Sequence, residues 1–584
     1  MHRRTFLALT GTSAASGLAG AGAAVGQGLA SAGAAAELAR PPRDPARLAA
    51  RNRDRSAVVA QRGMVCASQP LAALVGISVL EAGGTCVDAA VATNAALGLM
   101  EPASCGIGGD LFAIAWIEKD QRLYGLNASG RAPAGWTLEK ARGLGLERIP
   151  RKSPLSWSVP GCVSGWQALT ERFGRLGLAR VLEPSIDYSR SGFPVSPLIS
   201  AHFSWTDEEY PHLAAVFHPG GRVPGYGDVF RNPLLAASYE RIAKDGAAGF
   251  YQGETAERIV ARSRELGGHM SLEDLRSHRA DWVEPVSSSY RGFDVWEIPP
   301  NGQGICALQI LNLMEEFDVA SLGHNSVEHL HLFVEAKKLA FEDRARHYAD
   351  PAFADVPVAW LVSKDYARER AKRIDPNRAA TRVGPGDPPL DSDTVYLCAA
   401  DAEGNMISLI QSNYSGFGSG ICPDGVGFPI QNRGQAFSLD PGHPNRLEPG
   451  KRPFHTIIPA FLTREGAPVM PFGVMGGDFQ PQGHAQVVMN ILDFGLSVQQ
   501  ATDVPRIAHD GSSAPWGGEM TDGGELIPEH GLDPRVLEGL AARGHRIGKG
   551  RSVHGGYQAI WREEDPRRYF GGSDPRKDGQ AIGY

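Results

Sequence analysis

The stretch Asp391-Ser392-Asp393-Thr394-Val395-Tyr396-Leu397-Cys398-Ala399-Ala400 decides how the chain reads. It follows a Pro/Gly-rich lead-in, Gly384-Pro385-Gly386-Asp387-Pro388-Pro389, and runs into an apolar segment of the length of a fully buried strand. After a turn at Asp401-Ala402-Glu403-Gly404-Asn405, a second apolar run from Met406 to Gln411 predicts a hairpin partner. A threonine heading a core strand, behind an acidic segment, points to one chemistry. Cutting the Asp393–Thr394 bond would give Thr394 a hydroxyl and a free α-amine on one residue. An unperturbed α-amine has a pKa near ~8, so part of it can serve as base for that hydroxyl at neutral pH. An Asp-Thr pair before a strand is also an ordinary strand start, and the remaining residues have to decide between the two.

Composition sets the class. The chain has 584 residues, 42% hydrophobic and 21% charged, which predicts a soluble globular protein of two domains or one large two-part unit. A net charge of −7 and the lack of a dense Lys/Arg stripe argue against nucleic-acid binding. With 71 Gly and 41 Pro, many tight turns are expected, as in a loop-rich α/β enzyme. Seven cysteines lie far apart with no CxxC, so they read as buried thiols and not as a zinc site. His329 and His331 sit two apart on a predicted helix and cannot share a face, so no metal is expected there.

Residues 1–36 resemble a twin-arginine export signal. Arg3-Arg4-Thr5-Phe6-Leu7 precedes a mildly apolar Ala/Gly/Leu stretch that ends in Ala30-Ser31-Ala32-Gly33-Ala34. This predicts a periplasmic or secreted protein, with a charged linker at 37–57 and folding from Val58 onward. No other run is long and apolar enough to span a bilayer, so no membrane partner is expected.

Helical spacing runs from Pro70 to Met100 and is broken at Gly83-Gly84. The turn Cys105-Gly106-Ile107-Gly108-Gly109-Asp110 enters a strand from Leu111 to Ile117. Helix, loop, strand is the wrong order for a phosphate-binding loop, so these glycines read as close backbone packing. Residues 180–285 read as mainly helical. A loop at Ile298–Gly304 opens a helix, and Glu328–Arg346 reads as an amphipathic one. Beyond the lead-in, strands are expected at 395–400, 406–411, 457–462 and 469–474, with helices at 484–495 and 497–502.

Taken in order, these segments resemble the gamma-glutamyltransferase family of N-terminal-nucleophile hydrolases. The resemblance rests on Gly83-Gly84-Thr85-Cys86-Val87-Asp88-Ala89-Ala90, Gly106-Ile107-Gly108-Gly109, Val159-Pro160-Gly161, Pro299-Pro300 with Gly302 and Gly304, Asp401 through Asn405, Lys451-Arg452-Pro453, Gly476-Gly477 and the final Gly572–Gly579. It implies an α/β (α+β) four-layer αββα sandwich, made as a proenzyme that cuts itself between Asp393 and Thr394. The large subunit would be 58–393 and the small subunit 394–584, a heterodimer of the chain's own fragments that can pair further. Thr394 would be the nucleophile, Gly476 and Gly477 would supply oxyanion N–H groups, and Ser412 would hold the nucleophile's amine; the alternative for Ser412 is a plain strand serine. No cofactor is called for.

The residues that would read a γ-glutamyl group depart from the family pattern. The α-carboxylate arginine becomes Ser129, with Arg131 two residues along as a replacement fork. Within Asn432-Arg433-Gly434-Gln435-Ala436, the acidic residue for the α-amine becomes Ala436 and a glutamine becomes Arg433, unless Arg433 is a surface ion-pair residue. A serine pair becomes His455-Thr456, Val395 follows the nucleophile, and an asparagine becomes Tyr414. The pattern is more similar to the cephalosporin-acylase-like and oxamate-amidohydrolase-like branch. The expected substrate is a small amide or peptide with a γ-glutamyl or related carboxylated acyl group, glutaryl and oxalyl types included, and the acyl-enzyme would pass to water or an amine. The remaining alternatives are true γ-glutamyl specificity and an unprocessed periplasmic binding homologue. No Gly-x-Ser-x-Gly elbow follows a strand.

Overall fold

The computed structural model describes residues 55–205, 208–383, 393–512, 514–517, 519–549 and 554–584. The export-signal reading, nearly all of the linker and the acidic lead-in up to Ser392 lie outside the described residues.

Two seven-stranded antiparallel sheets form the centre. In the first, strand Asp393–Ala400 lies between Met64–Ala67 and Met406–Tyr414; Asp110–Ile117, Arg122–Ala128 and Asp281–Val283 follow, and the C-terminal strand Gln580–Gly583 closes the other edge. The second sheet centres on Ala460–Arg464, Ala467–Val474 and Tyr557–Glu564.

The period-2 alternation of strands assigns the layers. Val395, Leu397 and Ala399 face a helical layer that includes Pro70–Glu81 and Cys86–Met100. Tyr396, Cys398 and Ala400 face the second sheet, with Phe112, Ile114, Trp116, Phe461 and Ile560. Ala460, Leu462, Phe472 and Val474 face the other helical layer, which includes Gly304–Glu315, Val327–His347 and Gln480–Leu492. This is the αββα sandwich. Strands buried on both faces explain the unbroken apolar runs read from the sequence.

Both sheets mix strands from before and after Thr394. Of the two expectations, two domains or one large two-part unit, the interleaved sheets fit the single unit. Among the described residues no helix is long and apolar enough to cross a membrane, and all seven cysteines are buried and free.

Three local expectations are corrected. The strand predicted at 457–462 forms as Ala460–Arg464. The backbone N–H groups of His455, Ile457 and Ile458 donate to the Asn301 carbonyl, His455 Nδ1 and Gln480 Oε1, and so are withheld from the ladder. The helix predicted from 484 starts at Gln480, with Pro481 in its first turn. Helix Val327–His347 is not half-exposed; it is buried from His329 to Ala345, with its charges paired internally, as in Lys338–Glu335 and Arg344–Asp478.

Candidate active site

Thr394 sits where the sheet is irregular. Val395 pairs with Gln411, but Asp393 pairs with Tyr414, so Ser412 and Asn413 oppose the single residue Thr394. A bulge re-aims side chains. Here Thr394 Oγ1 donates to Ser412 Oγ at 3.2 Å, and the Tyr414 N–H donates to the same oxygen at 2.8 Å. Tyr414 adopts φ 80°, a left-handed conformation unusual for a large side chain. Thr394 and Ser412 are fully buried.

The Gly-rich turn before Asp110–Ile117 packs against this bulge. A Cβ on Gly109 would run into the Ser412 carbonyl, which accounts for that glycine by close backbone approach. Gln411 clamps the turn, accepting from Gly106 N–H at 2.8 Å and donating to its carbonyl at 2.7 Å.

Asp110, beside Ser412 in the ladder, is a hub that the sequence reading missed. Its carboxylate accepts from the backbone N–H of Gly130 and Gly161 and from Gln431 Nε2, and it meets His455 Nε2 at 3.0 Å. Burial pushes its pKa up to about 7, against the pull of Arg433, Gln431 and the two backbone donors. Burial, with Arg433 and Arg452 adding to it, keeps His455 neutral. Since His455 Nδ1 accepts from Ile457 N–H, its Nε2–H is the donor to Asp110. His455 is thus spent on Asp110, which corrects the expectation that it reads substrate.

Arg131 is also committed elsewhere. Its guanidinium binds Asp281 at 2.9 Å and the Arg279 carbonyl at 3.2 Å, and Asp281 takes Arg452 as well. The replacement fork expected at Arg131 is therefore taken up by an ion pair with Asp281. Ser129 is held by Asn127 and Asn301.

Arg433 is not a surface residue; it is completely buried. Its Nη1 donates to Thr456 Oγ1 at 2.8 Å, and its guanidinium carbon lies 3.8 Å from the Tyr414 ring centroid. Among the described residues, Arg433 Nε and Nη2 and Tyr414 Oη are buried without a hydrogen-bond partner. Burial lowers the Arg433 pKa only to about 10, so it stays a cation. Asn432 accepts from Ser415 N–H with its Oδ1, and its Nδ2 has no partner among the described residues.

Gly476 and Gly477, at φ 121° and 56°, make the turn that opens helix Gln480–Leu492. Gln303 ties this turn to the Arg433 side: its Nε2 donates to the carbonyls of Gly477 (2.9 Å) and Thr456 (2.7 Å). Arg344 in turn donates to Gln303 Oε1 (2.6 Å) and to Asp478 (2.8 Å). Gln303 lay inside a quoted loop, but nothing in its spacing marked it.

Away from this centre, the expectation of no metal site meets one cluster. His331 and His329 do not share a face, but His331, Glu335 and His545 place their ligand atoms within 4.8 Å of one another. The i,i+4 pair was legible; its distant partner was not.

The comparisons agree with this architecture. The gamma-glutamyltranspeptidase family model matches residues 72–584. The glutathione hydrolase-like YwrD proenzyme of Bacillus subtilis is 38% identical over 539 residues, covering 90% of this chain and 99% of that protein. The oxamate amidohydrolase proenzyme of Klebsiella pneumoniae is 34% identical over 542 residues, covering 91% of this chain and all of that protein. The crystal structure of cephalosporin acylase from Bacillus halodurans superposes with a TM-score of 0.84 at 42% identity, covering 93% of this chain and 99% of that one. The chain therefore belongs to the gamma-glutamyltranspeptidase family, and it is a hydrolase/transferase enzyme of the N-terminal-nucleophile fold.

Proposed function

We propose that this chain is a self-processing amide hydrolase and acyltransferase whose acyl substrate carries a carboxylate but no α-ammonium. The observation that carries the reading is Arg433: a fully buried cation whose Nε and Nη2 have no partner among the described residues, packed on Tyr414 of the irregular strand pair that holds Thr394. A buried guanidinium left open on one edge suits a bidentate carboxylate. Ala436 offers no countercharge for an ammonium.

Processing begins when the Thr394 hydroxyl attacks the Asp393 carbonyl, its proton passing to the departing Thr394 nitrogen. The resulting ester is opened by water, leaving Asp393 as a carboxylate and Thr394 as a free N-terminus. In turnover the Thr394 amine takes the hydroxyl proton as Oγ1 attacks the substrate amide, then delivers it to the leaving amine. Gly476 and Gly477 would hold the tetrahedral oxyanion, each such donor being worth ~2.7–4 kcal/mol. Ser412, 3.2 Å from Oγ1, would orient the nucleophile. Water or an acceptor amine releases the acyl group.

Intact-mass analysis with N-terminal sequencing, beside Thr394→Ala, tests the first half. Two fragments, the smaller starting at Thr394 and absent from the variant, are expected; a single uncut chain would move the assignment to a binding homologue. Glutaryl- and γ-glutamyl-p-nitroanilide test the second half, and faster turnover of the γ-glutamyl compound would overturn the substrate class. True γ-glutamyl hydrolysis is the second reading, favoured by the likeness to the glutathione hydrolase-like relative. The Arg3-Arg4 segment supports export to the periplasm or medium, which cell fractionation checks.

A further inference from the structure

We infer that His331, Glu335 and His545 form a binding site for a divalent transition-metal ion of the zinc class. His331 and Glu335 project from successive turns of helix Val327–His347, and His545 follows helix Pro534–Ala542. All three are buried, and their ligand atoms lie within 4.8 Å of one another. Two imidazole nitrogens and a carboxylate are a familiar zinc set, with a fourth position left to water.

The hydrogen bonds around the cluster orient it for a cation. His331 Nε2 lies 2.7 Å from the Asp375 carbonyl, which can only accept, so Nε2 carries the proton and Nδ1 the lone pair. A metal-binding histidine is usually held by such a carbonyl on its far nitrogen. His331 Nδ1 faces His545 Nε2 at 2.8 Å. Without an ion, His545 donates across this gap. With one, the His545 proton moves to its own Nδ1, both facing nitrogens offer lone pairs, and the gap opens to ~3.3 Å, the span set by metal–nitrogen distances near 2.0–2.1 Å.

Glu335 is fixed by the Lys338 ammonium (2.8 Å) on one oxygen and by Ala380 N–H (3.1 Å) on the other, leaving each oxygen a further lone pair. Lys338 also binds the Ala380 carbonyl at 2.8 Å, so it keeps its place when an ion enters. The nearby charges of Lys338 and Arg543 oppose the ion and hold the affinity below that of a site without neighbouring cations.

The ligands come from both sides of Thr394. His331 and Glu335, with Asp375 and Ala380 beside them, precede it, and His545 follows it. On the processing reading above, the ion would clamp the two fragments together close to the tail of the first. The site itself is independent of that reading, because the uncut Thr394→Ala chain presents the same ligands.

The test uses the full chain, free of affinity tag and stripped with chelator, titrated with Zn2+ by calorimetry and crystallised with zinc for anomalous diffraction at the zinc edge. One equivalent bound, with an anomalous peak between His331 and His545, is expected in both wild type and Thr394→Ala. His545→Ala and Glu335→Gln should each weaken binding about tenfold or more. No anomalous peak there, or undiminished affinity in His545→Ala, overturns the assignment. Should the variants fail to fold, Co2+ loading of the wild type decides: a visible d–d spectrum removed by added Zn2+, with cobalt density at the site, supports it, and neither feature appearing sinks it.

Discussion

The Arg433 guanidinium lies against the Tyr414 ring, 3.8 Å from its centroid, and both side chains keep buried polar atoms without partners among the described residues. A protein rarely leaves buried hydrogen-bonding groups unsatisfied unless something else is to fill them. Tyr414 directly follows Ser412 and Asn413, the two residues that oppose Thr394, and Arg433 packs on its ring. Tyr414 reaches that position only because its backbone takes φ 80°.

Arg433→Ala should lower kcat/KM for carboxylated acyl amides by ~10–100-fold, the size of a charge-assisted hydrogen bond of 1.5–3 kcal/mol. Most of the loss should appear in KM. Arg433→Lys should restore little, since an ammonium lacks the planar fork. Steady-state kinetics on glutaryl-p-nitroanilide settle this; unchanged KM would remove Arg433 from the substrate site.

The same residue should trade stability for function. Arg433→Met replaces an incompletely paired buried cation by an apolar chain of similar length, so the melting temperature should rise by a degree or more while activity falls. Differential scanning calorimetry of the variant beside wild type shows the sign, and a lower melting temperature counts against the idea.

Gln303→Leu should leave the carbonyls of Gly477 and Thr456 without donors and Arg344 without one of its acceptors. A stability loss of about 2 kcal/mol is expected from the stranded groups. kcat should fall further than KM changes if the Gly476-Gly477 turn has the proposed oxyanion role, because that turn loses its tie. Equal effects on both constants would mean that Gln303 only supports the core.

Gly476→Ala should slow both self-cleavage and turnover. At φ 121° an L side chain is strained, and the turn can relieve it only by moving. On the proposed oxyanion role of Gly476, loss of one donor corresponds to about 100–1,000-fold in kcat. Time-resolved gel analysis of processing and single-turnover rates should decline together; normal cleavage with lost turnover would separate the two oxyanion sites.

Acid should unlock the C-terminal segment. Burial alone would raise the Asp574 pKa, but Arg506 and Arg576, with the N–H groups of Arg576 and Tyr557, hold it below the usual carboxylate range. A depressed folded-state value means that the unfolded chain takes up the proton first. The stabilisation is therefore complete above the unfolded pKa of ~3.9 and is lost as pH falls through the folded value. Asp574→Asn should cost about 3–5 kcal/mol at pH 7, by stranding Arg506, and should flatten the acid limb of a stability–pH curve. An unchanged acid limb would exclude Asp574 as its source.

Much of this protein could be read before any coordinates. The unbroken apolar strands, the Gly83-Gly84 break, the Asp401–Asn405 turn and the glycines at 476–477 are local features, set by side-chain period and by backbone angles that few residues adopt. Their order was enough to identify the family and the sandwich, and to point to Thr394. The tertiary structure decided which charges are free. Arg131 and Arg433 look equivalent in sequence, yet Arg131 is consumed by Asp281 while Arg433 is buried with Nε and Nη2 unpartnered among the described residues. Asp110 meets Gln431 and His455, 321 and 345 residues away, and Gln303 meets the Gly477 carbonyl 174 residues away, pairings that leave no periodic trace. The bulge that turns Ser412 toward Thr394 is a register offset between two strands, a property of the pair that neither strand holds alone.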